Sequence, residues 1–543
     1  MRLKRLFLGI LLSAIFVNII ASNYNPESIS ISLKVPGNKA RCYPLALQKY
    51  QDGVYKCQSS EKLPLVITRQ VVNQNGMQRI NVVIKALETV YFNYGEQIET
   101  GYKHSDCQFY MPGFWYRRNL RSPENTPSFK ISDSWLVRED RLSTPLTAVF
   151  CSSKAKSMSV IRLDKFDKEA LTTHKEGEVI VSGETSIGYT GFENVGGMTV
   201  LSYGFPYKEA PRTYIRKLTL APSVEAFQFL CKGDSITLAW ELSEIDVADF
   251  SECVQRTWEY CYDTYRPQSF NASYTADRMK EVLSNFFVDS YVDSTPTHYY
   301  SGVGLKTLTC DKTDVAEVGF LGRTLLNAFN ALEYGSLQNR SELVKDANNI
   351  FETYLSHGFS PAGFFNEVVR FHRDSKESNF SIRRQSEGVY AILSYLDYEK
   401  KHKRKHVEWE KRLKVILDNF LRIQKTDGSF PRKFKDDFSI VDSTGGSTPS
   451  VTLPLVMAYK YFNDKRYLES AKRSANYLEN EIISKSDYFS STLDANCEDK
   501  EASLYAATAT YYLALVTKGS ERLHYAELCK KAAYFALSWY YTW

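Results

Sequence analysis

The chain has 543 residues, 68 Lys and Arg against 63 Asp and Glu for a net charge of +5, and 14% aromatic residues, 37 of them Tyr. That length accommodates two or more domains, each with its own core. The small positive excess can come mostly from the basic start of the chain, so composition points to no polyanionic partner and argues against nucleic acid.

Residues 1–22, "MRLKRLFLGILLSAIFVNIIAS", place Arg2, Lys4 and Arg5 before a mostly apolar run and then small residues, the pattern of a secretory signal peptide. An uncleaved anchor is the competing reading, because the small-x-small pattern around Ala21 and Ser22 is imperfect. No later stretch reaches about 18 apolar residues, so no membrane span is expected after signal removal, and the mature protein is expected in the periplasm or outside the cell. The ten cysteines are scattered with no C-x-x-C pair. Isolated buried thiols and one or two bridges are expected, with Cys42 and Cys57 the nearest candidates; no metal site and no cofactor is expected.

From about residue 28 to 242 the chain shows short alternating runs such as "SISISLKV", "RINVVIKAL", "GEVIVSG" and "DSITLAWEL", broken by Gly, Pro, Asn and Asp. Period-two alternation at this length predicts half-buried strands, and so many of them predict an antiparallel β-sandwich over residues 23–250. Helical periodicity follows, first in a linker over 251–272 and then in residues 274–289, where Met279, Val282, Leu283, Phe286 and Phe287 form one stripe.

Residues 273–543 repeat in kind. Runs apolar nearly all round (316–334, 382–399, 449–463, 500–517) each precede an amphipathic one (341–356, 407–424, 465–482, 521–540). A helix apolar on every side must be surrounded by protein, whereas an amphipathic one lies outside, so hairpins recurring every 55 to 65 residues or so predict an inner ring of helices within an outer ring, an (α/α) toroid. Turns from inner to outer helix are short, and the returns (358–381, 426–448, 484–499) are long, which gathers long loops into a cleft at one end. Four hairpins fall short of the roughly six of a closed ring, and the chain stops inside "AAYFALSWYYTW". The toroid is therefore expected to be incomplete at its C-terminus, either as a truncated product or with Trp543 buried against another surface.

The motifs "EVGFLGR" (317–323), "IRRQSEG" (382–388), "TDGSFPRKF" (426–434), "STGGSTPS" (443–450) and "DANCEDKEA" (494–502), set in this architecture, resemble the six-hairpin glycosidase superfamily and the related toroid polysaccharide lyases of gut-type Bacteroidetes. The resemblance covers nearly the whole mature chain. It implies cleft carboxylates at inner-helix starts and in the loops before them, with aromatic platforms beside them. No catalytic position carries over residue by residue.

The residues themselves supply candidates. Asp494, Glu498, Asp499 and Glu501 crowd before the apolar helix at 500. Helix capping, with Asn496 as N-cap and Asp499 at the third position, accounts for some of them. A carboxylate favoured in its ionised form near a helix N-terminus also suits a general base or nucleophile. Glu387, one turn into its helix, and Glu317 are the candidate acids, with Arg383 and Arg384 flanking Glu387 either as a structural salt bridge or as substrate contacts. Asp427, Phe430, Arg432 and Lys433 are expected to project at the loop-rich end, where a ring and two cations suit an acidic sugar; a plain turn is the other reading. Trp115 and Tyr116, near Trp135 and several arginines, are either core aromatics or a sugar-stacking platform at the sandwich edge. His298 with Tyr299, and His372, are the loop-placed pairs that a lyase would use. A phosphate-binding loop and a G-x-S-x-G elbow are both missing from the sequence.

The expectation is an exported glycoside hydrolase acting on polysaccharide or oligosaccharide, acidic sugars included, through paired carboxylates. A uronate-specific lyase and a non-catalytic glycan-binding protein are the alternatives.

Overall fold

The computed structural model describes residues 28–542 except 75, 165, 169–175, 217, 268–271, 294–296, 305–308, 312–314, 320–322, 371–378 and 490–496. The chain divides into two compact units. One comprises the residues up to Met111 with Asp133–Thr213 and Ala221–Ala248; the other comprises Pro112–Ser132, Tyr214–Leu220 and Asp249–Trp543. Residues 112–132, which the sequence pattern assigns to the β-domain, therefore belong with the helices.

In the first unit, alternating residues pair into antiparallel ladders. One sheet runs in the order Arg41–Gln51, Val54–Gln58, Leu65–Gln74, Met77–Ala86, Ser235–Asp246, Lys156–Arg162, Leu146–Cys151, Cys107–Met111. The other runs Arg41–Gln51, Ser28–Lys34, Val90–Lys103, Met198–Phe205, Tyr189–Val195, Trp135–Arg138. The strand at 41–51 serves both. Buried side chains link the sheets: Trp240 packs on Tyr94 and Tyr203, and Arg69 donates to Glu96 at 3.1 Å. Glu96 also accepts from the Tyr94 and Tyr203 hydroxyls at 2.7 and 2.8 Å, so this buried charge is surrounded by donors.

The expected Cys42–Cys57 bridge does not form. Register sets Leu47 opposite Cys57, which leaves Cys42 five residues, or about 17 Å, along the strand. Both thiols are free.

The helical unit carries α1 (Phe250–Tyr265), α2 (Ala276–Ser290), α3 (Thr324–Gln338), α4 (Ser341–His357), α5 (Ile382–Lys401), α6 (Val407–Ile423), α7 (Pro449–Phe462), α8 (Lys465–Tyr477, continued by a π-helical turn Leu478–Ile483), α9 (Lys500–Val516) and α10 (Gly519–Leu537). The apolar helices α3, α5, α7 and α9 pack side by side in that order, and each packs on the amphipathic helix that follows it. Helix α1 adds to α10, and α2 to α4.

The first inner helix starts later than its hydrophobic run. Val315–Glu317 instead pairs as a strand with Val368–Arg370, which puts Glu317 before α3 and not on it. The stripe on α2 is not a core face: Met279, Val282 and Leu283 are exposed. Among the described residues, no helix is long and apolar enough to cross a membrane, and no His, Cys, Asp and Glu cluster could hold a metal ion.

Candidate active site

The N-terminal turns of α5 and α9 meet around Glu387. Arg383 and Glu387 stand one turn apart on α5, and Glu501 and Tyr505 one turn apart on α9, so each pair shares a helix face. Glu387 Oε1 accepts from the Tyr505 hydroxyl at 2.7 Å and from Arg383 Nε at 3.1 Å, with Arg323 Nη2 at 3.7 Å. The far side of the Arg383 guanidinium lies 2.8 Å from Glu501 Oε2. One buried cation thus ties together carboxylates from two inner helices.

Exposure divides the cluster into a base and a rim. The Arg383 and Glu387 side chains are 2% and 10% exposed, whereas those of Glu501 and Arg323 are 41% and 39% exposed. Burial alone would lower the pKa of Arg383, but Tyr505, Glu387 and Glu501 outweigh it and raise it further above the usual arginine range. Burial, and then the Glu387 charge, push the Tyr505 phenol up.

Arg384 turns to the other side, with Nη2 3.6 Å from Glu317 and Nη1 3.9 Å from buried Glu367. Gln385 clamps the preceding loop to α5 by exchanging two 2.9 Å hydrogen bonds with the Phe365 backbone, and it donates to Glu367 at 3.1 Å. Gly319 closes over the carboxylate. A Cβ there would stand 2.6 Å from Glu387 Oε2 and 2.9 Å from the Arg384 Cα, so only glycine allows this approach.

One turn beyond Glu387 on the same α5 face, Tyr390 opens a cavity of about 650 Å³ between the inner helices. Phe329, Tyr398, Tyr461 and Tyr512 supply further rings, with Asp397 and Lys401 at the far end of α5. Charged side chains one helical turn from an aromatic-lined cavity form an arrangement with room for a small polar ligand.

Other sequence candidates lie elsewhere. Asp494 lies outside the described residues, as do His372 and the expected N-cap Asn496. The N-cap of α9 is Asp499, which accepts from Glu501 N at 2.8 Å. Glu498 points away to Arg117 Nη2 at 3.0 Å. Phe430 is wholly buried against Phe420 and does not project, because Asp427 closes a turn on Ser429 that carries the ring inward. Arg432, also buried, pairs with Asp442 at 3.0 Å. Trp115 is a core residue with its indole bonded to Arg117 O, and Tyr116 is buried against Phe535 and Trp539. His298 bonds Tyr291 and lies 3.4 Å from Asp293, while Tyr299 is buried. Glu501 belongs to the carboxylate cluster that the sequence singled out, whereas Tyr505, Arg323 and Glu367 were not anticipated as site residues. The only signal for Tyr505 was its place one turn after Glu501 at the start of an apolar helix.

No protein-family model matches the chain, and no curated protein does. Among solved structures it is similar to a sugar epimerase from a ruminal bacterium (12% identity, TM-score 0.37, 46% of this chain and 67% of that one). It is also similar to a polysaccharide lyase (9% identity, TM-score 0.37, 94% of this chain and 86% of that one). A third is the unsaturated glucuronyl hydrolase of Bacillus sp. GL1 (14% identity, TM-score 0.32, 39% of this chain), of which the match spans 60%. Likeness at this level carries no inference to activity, substrate or catalytic residues.

Proposed function

We propose that the protein is an exported glycoside hydrolase, a β-sandwich joined to an (α/α) toroid of four hairpins, with Glu387 and Glu501 as its carboxylate pair. The observation that carries the reading is Arg383, held between these two carboxylates at the start of two parallel inner helices. Glycoside hydrolysis needs two carboxyl groups flanking one bond, one of them able to exchange a proton with the leaving oxygen or with water. Glu501 is the exposed member and takes that role. Glu387, fixed by Tyr505 and Arg383, faces the developing positive charge on the sugar, and the neighbouring aromatic cavity takes the adjoining ring.

A second reading, elimination from a uronate, draws on the guanidiniums of Arg323 and Arg383 beside the Tyr505 phenol. Arginine pairs with a sugar carboxylate, and a phenol can move the C5 proton.

Incubating the mature protein with neutral and uronate-containing polysaccharides and analysing products by mass spectrometry tests both readings. Products that gain water support hydrolysis. Unsaturated, ultraviolet-absorbing products overturn it in favour of elimination at Tyr505. Binding without any product supports a glycan-binding protein instead.

A further inference from the structure

On the other flank of the α9 start lies a cavity of about 230 Å³, walled by Phe114, Tyr116, Tyr214, Trp539 and Glu498. Its volume is below the ~300–1,000 Å³ of sites for drug-sized ligands, so it admits one small ring and not a chain.

The wall is a built structure. Asn119 folds the 113–127 loop by donating to Phe114 O and Pro127 O at 3.2 Å each while accepting from Tyr116 N at 3.0 Å. Tyr116 stacks on Trp539 at 5.0 Å, and its hydroxyl bonds Ser538 at 2.7 Å. Asp487 holds Arg121 through two bonds of 2.8 and 2.7 Å and also takes Arg117, which meets Glu498 Oε1.

Two polar atoms of the lining are buried and have no hydrogen-bond partner among the described residues: Glu498 Oε2 and Trp539 Nε1. The Glu498 side chain is only 5% exposed, and burial raises its pKa despite Arg117. A buried polar atom left unmatched is costly, and here an acid and an N–H donor of residues lining the cavity both go without a partner.

We propose that this cavity is a second, non-catalytic binding site for a single sugar ring, stacked on its aromatic walls, with hydroxyls bonded by Glu498 Oε2 and Trp539 Nε1. That the ligand is a sugar rests on the carbohydrate reading above; the site itself does not.

Saturation-transfer NMR with methyl β-glucopyranoside, methyl β-galactopyranoside and benzyl alcohol as probes tests this on wild type, Trp539→Phe, Glu498→Gln and Glu387→Gln, with circular dichroism as a check on folding. Trp539→Phe keeps the ring and removes only the donor; Glu498→Gln keeps the shape. The expected result is a methyl glycoside that binds wild type and Glu387→Gln alike and loses about tenfold or more in affinity in both other variants, the scale of one bond to a buried group. Equal binding in all four proteins, loss in Glu387→Gln alone, or no glycoside binding to wild type overturns the proposal. Benzyl alcohol binding that depends on Trp539, without glycoside binding, overturns the sugar assignment. Failure to hydrolyse any polysaccharide while the glycoside still binds counts against the hydrolase reading alone.

Discussion

Replacing Glu387 in two ways separates its structural from its chemical role. Glu387→Ala takes from the buried Arg383 guanidinium its Nε acceptor, removes the acceptor of the Tyr505 hydroxyl and empties the space under Gly319. Breaking a buried ion pair from one side costs about 3–5 kcal/mol, and the loss here should approach that range because Arg383 is almost fully buried. Glu387→Gln keeps an oxygen for both donors and gives up only the charge-assisted part, roughly 1–2 kcal/mol. Urea unfolding of the two variants should therefore differ by about 1–4 kcal/mol. Turnover should fall in both by the ~10²–10⁴ typical of a lost catalytic carboxylate. Glu501→Gln provides the contrast, because at 41% side-chain exposure its pairing contributes about 1 kcal/mol or less, yet its activity loss should match. Equal stability of the Ala and Gln variants of Glu387 would refute the clamp around Arg383. Full turnover in Glu501→Gln would refute the carboxylate pair.

Glycine 319 offers a test without touching a polar group: Gly319→Ala forces its Cβ against Glu387 and the Arg384 backbone, with an expected cost of about 1–3 kcal/mol and a loss of turnover, and a variant with wild-type melting and rate would contradict this packing. In the β-unit, Glu139 is wholly buried, accepts from Gly188 N at 2.7 Å and is pushed up to about 7 by burial despite nearby Arg162. Because the folded state keeps a proton that the unfolded chain releases near 4.5, this group's stabilisation is complete below that pH and is lost as pH rises through about 7, a span of about 3 kcal/mol. Urea midpoints measured on both sides of that window should show the slope in wild type and not in Glu139→Gln; a slope that survives the substitution assigns it elsewhere. Cys107 sits opposite Cys151 on the neighbouring strand, and burial pushes its thiol up to about 12. Iodoacetamide at neutral pH should therefore label exposed Cys42 and Cys231 well before Cys107, and mass spectrometry of the peptides would expose the opposite order.

The helices were legible where burial is all-round. Runs such as 382–399 and 449–463 have no polar face, so they had to be enclosed, and α5 and α7 follow them to within about two residues, the usual uncertainty of helix ends. The run at 316–334 misled because its first part satisfies its backbone in a strand pair with Val368–Arg370, a partner about fifty residues away that no local period announces. Phe430 misled for a related reason. Its loop could be placed at the right end of the hairpins, but which way a ring in that loop turns is set by the Asp427 turn and the packing of Phe420. Trp115 and Tyr116 follow strand-like sequence and read as either core aromatics or a platform at the sandwich edge, yet Tyr116 packs with residues more than four hundred positions later.

The crowd of carboxylates before α9 shows where sequence reasoning stops and why. Helix capping needs one acid, and Asp499 supplies it by accepting from Glu501 N. Its neighbours then diverge, because residues on either side of a cap leave the helix axis in different directions: Glu498 meets Arg117, and Glu501 meets Arg383. Composition alone makes these acids equivalent, and proximity to the helix dipole would favour them all alike. What distinguishes them is which guanidinium each reaches and how much water remains. Buried Glu498 lines an aromatic cavity and has its pKa raised and one oxygen without a hydrogen-bond partner among the described residues, while Glu501 stays exposed beside Glu387 and Tyr505. A chain that needed only a stable helix start would have no use for the second and third acids. Their separate arginine partners set the two proposed sites on opposite flanks of the α9 start, and they are the physical reason to test each with its own substitutions.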